Sequence, residues 1–518
     1  MKILFLEKKY IYPLVIFLFS ISVNQYYGYI GILPIDSFLI FNSGYDLLNG
    51  FYPFKDYWTI KEPFIDLLQA FFFKVLGVSW FSYVLHASIF NFIISISTYS
   101  ILRYFRLSAN LSFLYAFCVA ALTYPTAGTP FSDHHTLIFC ILSLYLFFIT
   151  IKTNNKFFWF LIPFLLGFSF LSKQAPTAYI ILVISFLSLI FFFYKKDFSG
   201  LIFSTIGLLV FILIFIITLF LLNIEFIDFI NQYFLFPKSL GATRLDWVFP
   251  LEFKRIVLRF KIHYFSIFFL VFILIRCAIK NKNKIKIEEV LIALSLIFTC
   301  LFFIFHQLMT INAIFIYCLI PIFLAFSHIY CKNFYDKKPI KILLISSLLV
   351  SSTYYFVKYV HSRTFMDLKS VDISKAIDAG KIDKKLSGIK WITMFYPEKP
   401  SEEIKNINFA VKILKKDTGK KMIVTDYQFI SVFLNEYDYS VTRFWYDFHG
   451  YPSKDNKFFS YWKNFVIKKI KENKITNIYV LKPLHGDNNP LENIFGHCLE
   501  KKIFSTTFYK IDLRGCNI

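Results

Sequence analysis

The chain has 518 residues, of which 57% are hydrophobic, and its mean hydropathy is +0.57. Its formal net charge is +23 at pH 7, which in a soluble protein would suggest a nucleic-acid partner. Here the basic residues stand between apolar runs that follow one another over residues 11–360, as membrane topology requires. Composition and charge therefore exclude an ordinary soluble globular protein, and we expect no nucleic-acid partner.

Long apolar segments predict about eleven membrane-spanning helices, since a spanning helix needs about 20 mostly apolar residues. The first is too long for the core of a signal peptide and no cleavage site follows it, which predicts an uncleaved helix. The predicted segments are, in chain order, 11–33, 80–102, 110–124, 135–151, 157–172, 175–194, 198–222, 263–279, 289–305, 309–330 and 341–360.

Basic residues predict the orientation of these helices. With a cytoplasmic N-terminus, Lys and Arg fill the inner loops, whereas the short outer loops near 124–134 and 306–308 contain none. This alternation is what the positive-inside rule predicts. Two further outer segments, 34–79 and 223–262, are long and carry some basic residues. An odd number of spans then predicts an extracytoplasmic C-terminus.

The last part of the chain predicts a soluble α/β domain at 361–518, after a membrane domain at 1–360. We expect one amphipathic helix with Ser401 as its N-cap and a second helix further on. The predicted strands are 389–395, 421–426, 476–481 and 505–513, and the predicted apolar stripes are Ile404, Ile407, Val411 and Leu414 in one helix and Phe458, Trp462, Phe465 and Ile470 in the other.

Cysteine usage points to one disulfide. Of the eight cysteines, six lie in or beside the predicted membrane helices, where apolar packing is the default. Cys498 and Cys516 are the two in the exported domain. Because an extracytoplasmic location permits disulfides, we expect these two to be bonded.

The first outer segment combines polar residues with an expected interfacial helix. Asp36 is placed at the end of the first membrane helix, and Gly50 is expected to end the helix that follows. Such a helix is expected to lie along the membrane surface, followed by a second amphipathic stretch over 63–77. The apolar face of the first of these helices consists of Phe38, Phe41, Tyr45 and Leu48.

An ordered set of motifs runs along this segment: an Asp at the end of helix one, then Y-x-x-x-x-G-x-x-P-x-x-D-Y, then K-x-P, then a helix ending in Gly. The matching residues are Asp36, Tyr45, Gly50, Pro53, Asp56, Tyr57, Lys61, Pro63 and Gly77. The order resembles the GT-C superfamily of membrane glycosyltransferases, in the branch of the protein O-mannosyltransferases and the aminoarabinose transferase of lipid A.

Further similarity to that superfamily lies in LSKQAPTAY (171–179) and INAIFIYCLIPIF (311–323), so the resemblance covers residues 10 to about 330. This chain has Asp36-Ser37 where many members have Asp-Glu. The C-terminal domain matches no family that we can name.

The resemblance implies transfer of a sugar from a polyprenyl-phosphate donor to an envelope glycan, lipid or protein acceptor, on the outer side of the cell inner membrane. A carboxylate would orient or deprotonate the acceptor, and cations would stabilise the phosphate leaving group. The candidates for this carboxylate are Asp36, Asp133 and Glu62, and the candidates for binding the phosphate are Lys61, Lys173 and Arg244. No metal ligands are assigned, and a divalent metal is left open.

Structural roles compete with these assignments. Asp36 and Asp133 could each be a helix N-cap, and Lys173 could extend its ammonium group toward the membrane surface. Lys61 and Glu62 could pair with neighbours at little energetic gain. The adjacent histidines 134 and 135 make a poor metal pair and are expected to be solvated at the interface.

Other functions stay open at this point. A transporter or lipid flippase tends to place ionisable residues mid-membrane and to show repeats, and neither feature is seen in the sequence. A polysaccharide ligase or polymerase shares the lipid-linked donor, and a non-catalytic scaffold would tolerate substitution at Asp36. The sequence has no P-loop, G-x-S-x-G, H-E-x-x-H or zinc-type cysteine pattern, which argues against ATP-driven pumps, serine hydrolases and zinc enzymes.

Overall fold

The computed structural model describes residues 8–248, 252–280, 285–312, 314–335, 337–446, 449–484, 490–496 and 500–516. α-Helix dominates these residues, and a small mixed sheet forms toward the C-terminus. The predicted fold class, a polytopic α-helical membrane protein followed by an α/β part, is confirmed.

The helices are α1 (Lys8–Gly28), α2 (Pro34–Leu48), α3 (Pro63–Leu76), α4 (Trp80–Tyr104), α5 (Ala109–Leu122), α6 (Ser132–Thr153), α7 (Lys156–Ser172), α8 (Gln174–Lys195), α9 (Ser199–Leu221), α10 (Phe226–Phe229), α11 (Phe236–Val248), α12 (Lys261–Lys280), α13 (Ile287–Met309), α14 (Leu319–Tyr330), α15 (Lys338–Tyr355), α16 (Pro400–Leu414), α17 (Ile430–Leu434), α18 (Phe459–Asn473) and α19 (Pro490–Phe495). Single π-helical turns follow α10, α14 and α15, and another precedes α12.

Helices α1, α4 to α9 and α12 to α15 coincide with the eleven predicted membrane segments. Within the described residues, seven helices are long and apolar enough to cross a membrane: α4, α6, α8, α9, α13, most of α12, and the run Lys338–Met366 that contains α15. Two shorter apolar helices are α7 and the run Leu319–Phe334 that contains α14. The number of crossings and their orientation therefore stay predictions.

The chain divides into two compact units. The helical unit consists of Met1–Gly28, Val84–Phe215 and Arg244–Phe365, and the mixed unit consists of Tyr29–Tyr83, Ile216–Thr243 and Met366–Ile518. The last junction is close to the domain boundary predicted at 360. The first long loop, by contrast, joins the C-terminal residues in one unit.

Short connections determine the arrangement of the helical unit. Two residues separate α6 from α7 and one separates α7 from α8, so these helices run antiparallel to their neighbours in sequence. Contacts of α6 with α7, and of α8 with α13, hold the group together. The start of α6, the end of α7 and the start of α8 therefore lie at the same end of the unit.

The mixed unit contains a four-stranded sheet in the order β3-β4-β6-β5, with β3 parallel to β4 and the other pairs antiparallel. The strands are β1 (Ile377–Asp378), β2 (Lys390–Trp391), β3 (Lys421–Thr425), β4 (Asn477–Leu481), β5 (Glu500–Ile503) and β6 (Phe508–Asp512). The strands expected at 421–426, 476–481 and 505–513 are confirmed. β5 was not predicted because its four residues are all exposed and show no apolar alternation.

The strand predicted at 389–395 is reduced to β2, because the chain bends from Met394 onward. Lys390 also pairs with the segment that follows α1. The Lys390 amide donates to the Tyr29 carbonyl at 2.8 Å, and the Gly31 amide donates to the Lys390 carbonyl at 3.1 Å. The first outer segment is thus anchored at its beginning to C-terminal backbone.

The two predicted amphipathic helices are present as α16 and α18. Ser401 is not the N-cap of α16, since Lys399 holds that position and Pro400 opens the helix, where proline is favoured. Phe458 is the N-cap of α18 rather than a member of its stripe. The other stripe residues are buried, except for Val411, which is half-buried.

Helix α2 differs from its prediction in two respects. Helix α1 ends at Gly28 and Leu33 is the N-cap of α2, so Asp36 lies in the first turn of α2 and is neither at the end of helix one nor an N-cap. A single apolar face is also wrong, because nearly every residue from Pro34 to Gly44 is buried. Phe38 packs on Phe429, with ring centroids 4.4 Å apart.

Candidate active site

The loop before α6 is held by contacts that place the first turn of that helix. A Cβ on Gly128 would lie 2.6 Å from the Cα of Gly28, and Gly128 has φ +80°, so both the close approach and the conformation favour glycine. The buried guanidinium of Arg363 donates to the Pro125 carbonyl at 3.0 Å and to the Ala127 carbonyl at 3.1 Å. These contacts therefore fix the backbone from which the Asp133 side chain extends.

Lys173 occupies the break between α7 and α8, where its backbone is extended (φ −163°, ψ 130°). The hydroxyl of Ser169 donates to the Thr136 carbonyl at 3.1 Å and contacts the Thr177 hydroxyl at 2.8 Å. These bonds tie α6, α7 and α8 together within a turn of Lys173 and Asp133. The extended backbone at Lys173 and these hydrogen bonds together place the Lys173 side chain beside the first turn of α6.

Asp133 and Lys173 form an ion pair in which the ammonium Nζ donates to Oδ2 at 2.6 Å. Their side chains are 7% and 16% exposed, so solvent screens the pair little. Phe131 is the N-cap of α6, which makes the N-cap interpretation of Asp133 wrong. Lys173 is likewise bound to a partner rather than only extended toward the surface.

Two further groups complete this end of the helical unit. His306, in the last turn of α13, is 3% exposed, and its Nδ1 lies 3.8 Å from Oδ1 of Asp133. Arg244, half-buried in α11, is close enough to interact electrostatically with His306. The structure thus groups three predicted residues, Asp133, Lys173 and Arg244, with one that was not predicted.

His134 and His135 are buried, so their expected solvation is wrong. His134 Nε2 lies 2.8 Å from the Thr126 hydroxyl, and His135 Nε2 lies 3.0 Å from Nε2 of His86. The other ring nitrogen of His135 bonds to the Tyr124 hydroxyl. The loop before α6 folds over them, which the helical pattern could not reveal.

In the mixed unit, Glu62 belongs to a buried ionic cluster. Its Oε1 lies 3.2 Å from Lys61 Nζ, and its Oε2 accepts from Arg443 Nη2 at 3.0 Å. Arg443 also donates to both oxygens of Asp66, at 2.8 and 2.6 Å. Glu62 is 1% exposed and its backbone is left-handed (φ 76°) at the N-cap of α3. The pair expected to be weak is in fact part of a buried, bidentate network.

Backbone pairing explains why Arg443 reaches this cluster. The Trp58 amide donates to the Val441 carbonyl, and the Arg443 amide donates to the Trp58 carbonyl, both at 2.9 Å. The residues after Trp58 therefore run beside Arg443, whose Nη1 also donates to the Lys61 carbonyl at 2.8 Å. The C-terminal residues and the first outer segment are joined by this strand-like pairing.

Burial changes the acidity of the carboxyl groups in this unit. It raises the pKa of Asp66 to about 7, although the Arg443 charge lowers it, and raises the pKa of Asp438 to about 6. Burial, followed by the charge of Asp438, raises the pKa of Asp46 well above its ordinary value. For Arg443, burial lowers the pKa, but the carboxylates of Asp66 and Glu62 outweigh it and raise the pKa overall. The guanidinium is therefore charged at neutral pH.

Asp36 is half-buried in the first turn of α2, where the helix dipole favours a carboxylate. Its chemical role stays a prediction.

Cys516 is disulfide-bonded, as expected for an exported cysteine. Its predicted partner, Cys498, lies outside the described residues, so the pairing stays a prediction. The six cysteines of the helical unit are buried and form no disulfide, which agrees with apolar packing.

Two ionisable residues of these clusters, His306 and Arg443, were not predicted from the sequence. His306 stands at the outer end of a predicted span, and an ionisable residue at such a position is a functional signal in itself. Arg443 lies in a stretch without a clear period, and no local pattern identifies its partners. The described residues contain no group of three or more His, Cys, Asp or Glu side chains that could hold a metal ion.

Comparisons with known proteins return one kind of match. No protein-family model matches the chain, and no curated protein matches it. Among solved structures, the chain is similar to the Archaeoglobus fulgidus oligosaccharyltransferase, whose crystal structure is a complex with Zn and sulfate. The identity is 11%, the match covers 91% of this chain and 68% of that chain, and the TM-score is 0.42.

What supports a function for this chain is its own residues.

Proposed function

We propose that the protein is a glycosyltransferase of the cell inner membrane that moves a sugar from a polyprenyl-phosphate donor to an envelope glycan, lipid or protein. The observation that supports this most is the grouping of Asp133, Lys173, His306 and Arg244 at one end of the helical unit. The phosphate of a membrane lipid lies near the ends of the membrane-spanning helices, where cationic side chains can bind it. Lys173 and Arg244 are cations at such an end of the helical unit.

The reaction assigns a task to each kind of residue. An acceptor oxygen attacks the anomeric carbon, the bond from that carbon to the phosphate oxygen breaks, and the lipid phosphate leaves with the electron pair. Lys173 and Arg244 would stabilise that charge. The acceptor proton passes to a carboxylate, for which we propose Asp36 first and Asp133 second.

Lys61 and Glu62 are weaker candidates. The two form an ion pair with each other, and Glu62 forms a second ion pair with Arg443. A carboxylate fixed by a guanidinium is a poor proton acceptor, since the positive charge favours its ionised form. We therefore assign Glu62 to the cohesion of the mixed unit, and Lys61 stays a third candidate for the phosphate.

The position of the charges favours a transferase over a transporter. Asp133 is in the first turn of α6 and His306 is in the last turn of α13, whereas transporters place their ionisable groups near the middle of the membrane. The outer face is proposed as the working side, with a cytoplasmic N-terminus. A reporter that is active only outside the cytoplasm, fused after residue 518, should be active.

Two lysine variants test the donor site. Membranes carrying Lys173→Gln should consume lipid-linked sugar at least about tenfold more slowly than wild type, because the leaving phosphate loses its cation. Lys152→Gln is the matched control: Lys152 also forms an ion pair, with Glu289, which joins α6 to α13 at the ends of these helices opposite Asp133 and His306. Equal loss in both variants, or no loss in Lys173→Gln, would contradict the assignment.

A further inference from the structure

The two oxygens of Asp133 face different partners. Oδ2 accepts the hydrogen bond from Lys173, while Oδ1 lies 3.8 Å from Nδ1 of His306, which is too far for a hydrogen bond. Within the described residues, that buried Nδ1 has no hydrogen-bond partner. A small movement of one carboxylate would therefore bring Asp133 and His306 into contact.

With His306 neutral, this group carries one net positive charge, because Asp133 offsets Lys173 and Arg244 adds a second cation. The charged groups that face His306 are Asp133 from α6, Lys173 from the break between α7 and α8, and Arg244 from α11. Because Lys173 already offsets the charge of Asp133, the remaining cation, Arg244, disfavours a proton on the buried imidazole of His306.

A bound phosphate changes that balance. If the phosphate binds the ammonium of Lys173, the carboxylate of Asp133 lies beside this second anion in a site that solvent screens little. Repulsion between them is strong there, and Asp133 must move to another donor. His306 Nδ1 is the donor that the geometry offers.

We propose that His306 is a positioning residue that receives Asp133 when the donor phosphate takes Lys173, and that it takes up one proton in doing so. This rests on the proposed function. No covalent bond changes in this step: a proton from water converts the imidazole to an imidazolium, which then donates to Oδ1 of Asp133. Binding of the phosphate and binding of the proton thereby strengthen each other.

The measurable consequence is a pH-dependent affinity. Coupling to one proton strengthens binding by up to about tenfold for each pH unit of acidification across the range in which a histidine titrates. The probe is dioctyl phosphate, a phosphodiester whose own charge does not change between about pH 5 and 8. Any pH dependence then belongs to the protein.

The experiment measures the affinity of the purified full-length protein for this probe over that pH range. Wild type should bind more tightly as the pH falls, His306→Gln should bind with a flat profile, and Lys173→Gln should bind weakly throughout. His361→Gln, an exposed histidine of the same unit, should keep the wild-type slope. His306→Asn is measured in parallel, and size-exclusion elution identifies which variant is folded.

Each other outcome is decisive. A wild-type slope in folded His306→Gln or His306→Asn, or a flat profile in wild type, overturns the role of His306 and leaves the phosphate site standing. Absence of binding by wild type at every pH overturns the phosphate site, and the role of His306 with it.

Discussion

The ammonium of Lys173 donates a hydrogen bond to the carboxylate of Asp133, with Nζ 2.6 Å from Oδ2, although 40 residues separate them in the chain. One helix hairpin, α6 and α7, brings them together, and α13 adds His306. A carboxylate and its cation thus meet at one end of apolar helices, where the proposed lipid-linked substrate would present its phosphate.

Asp36→Asn separates a chemical role from a structural one. In the first turn of α2 a carboxylate gains at most about 1 kcal/mol from the helix dipole, so the variant should fold and insert. If Asp36 orients or deprotonates the acceptor, transfer should fall at least ~100-fold, as measured by initial rates in membranes. Asp372→Asn, which changes an exposed aspartate of the same unit, should keep the wild-type rate, and near-normal transfer by Asp36→Asn would move the role to Asp133.

Arg443→Met should destabilise the mixed unit by about 3–5 kcal/mol, because Asp66 would remain buried without its guanidinium partner and Glu62 would keep only Lys61. The apparent Tm of the full-length protein should fall by several degrees. Arg514→Met is the control, since Arg514 pairs with Asp512 but is 74% exposed, and exposed pairs contribute about 0–1 kcal/mol. Equal Tm values for the two variants would show that the cluster does not hold the unit together.

Whether a contact could be predicted depended on how far apart its two residues lie in the sequence and on whether regular helices connect them. Asp133 and Lys173 stand at the ends of adjacent predicted spans, so alternation of helices was enough to place them on one side. Arg443 meets Trp58 through a strand-like pairing of distant segments, and no local pattern encodes it. For the same reason α2 was taken for a surface helix: its period shows which residues are apolar, but C-terminal residues cover its other side.

Stability should depend on pH through Asp438. Its pKa is raised from about 3.9 in the unfolded chain to about 6 in the folded protein, so the folded state holds a proton that the unfolded state has lost. This contribution is complete below about pH 4 and is lost as the pH rises through about 6, by up to roughly 1.4 kcal/mol per pH unit. Apparent Tm values across this range should fall less in Asp438→Asn, which keeps an acceptor for the Ser440 amide, than in wild type. Identical slopes would contradict the buried proton.

The disulfide of Cys516 is predicted to close with Cys498. Alkylation of the unfolded protein without reductant, followed by mass spectrometry, should leave both residues unlabelled and recover one peptide that contains the bond. Removing it with Cys498→Ser should lower the free energy of unfolding by about 3 kcal/mol. Labelling of Cys498 in the wild-type protein would disprove the pairing.

The most direct test of the central claim is mass spectrometry of lipid-linked sugars and envelope glycans in cells with and without this protein. Loss of the protein should cause one polyprenyl-phosphate-linked sugar to accumulate and the same sugar to disappear from an envelope glycan, lipid or protein. Lys173→Gln should reproduce that pattern, and Lys152→Gln should match wild type. Unchanged lipid-linked sugars and unchanged envelope glycans in cells without the protein would contradict a glycosyltransferase that uses such a donor.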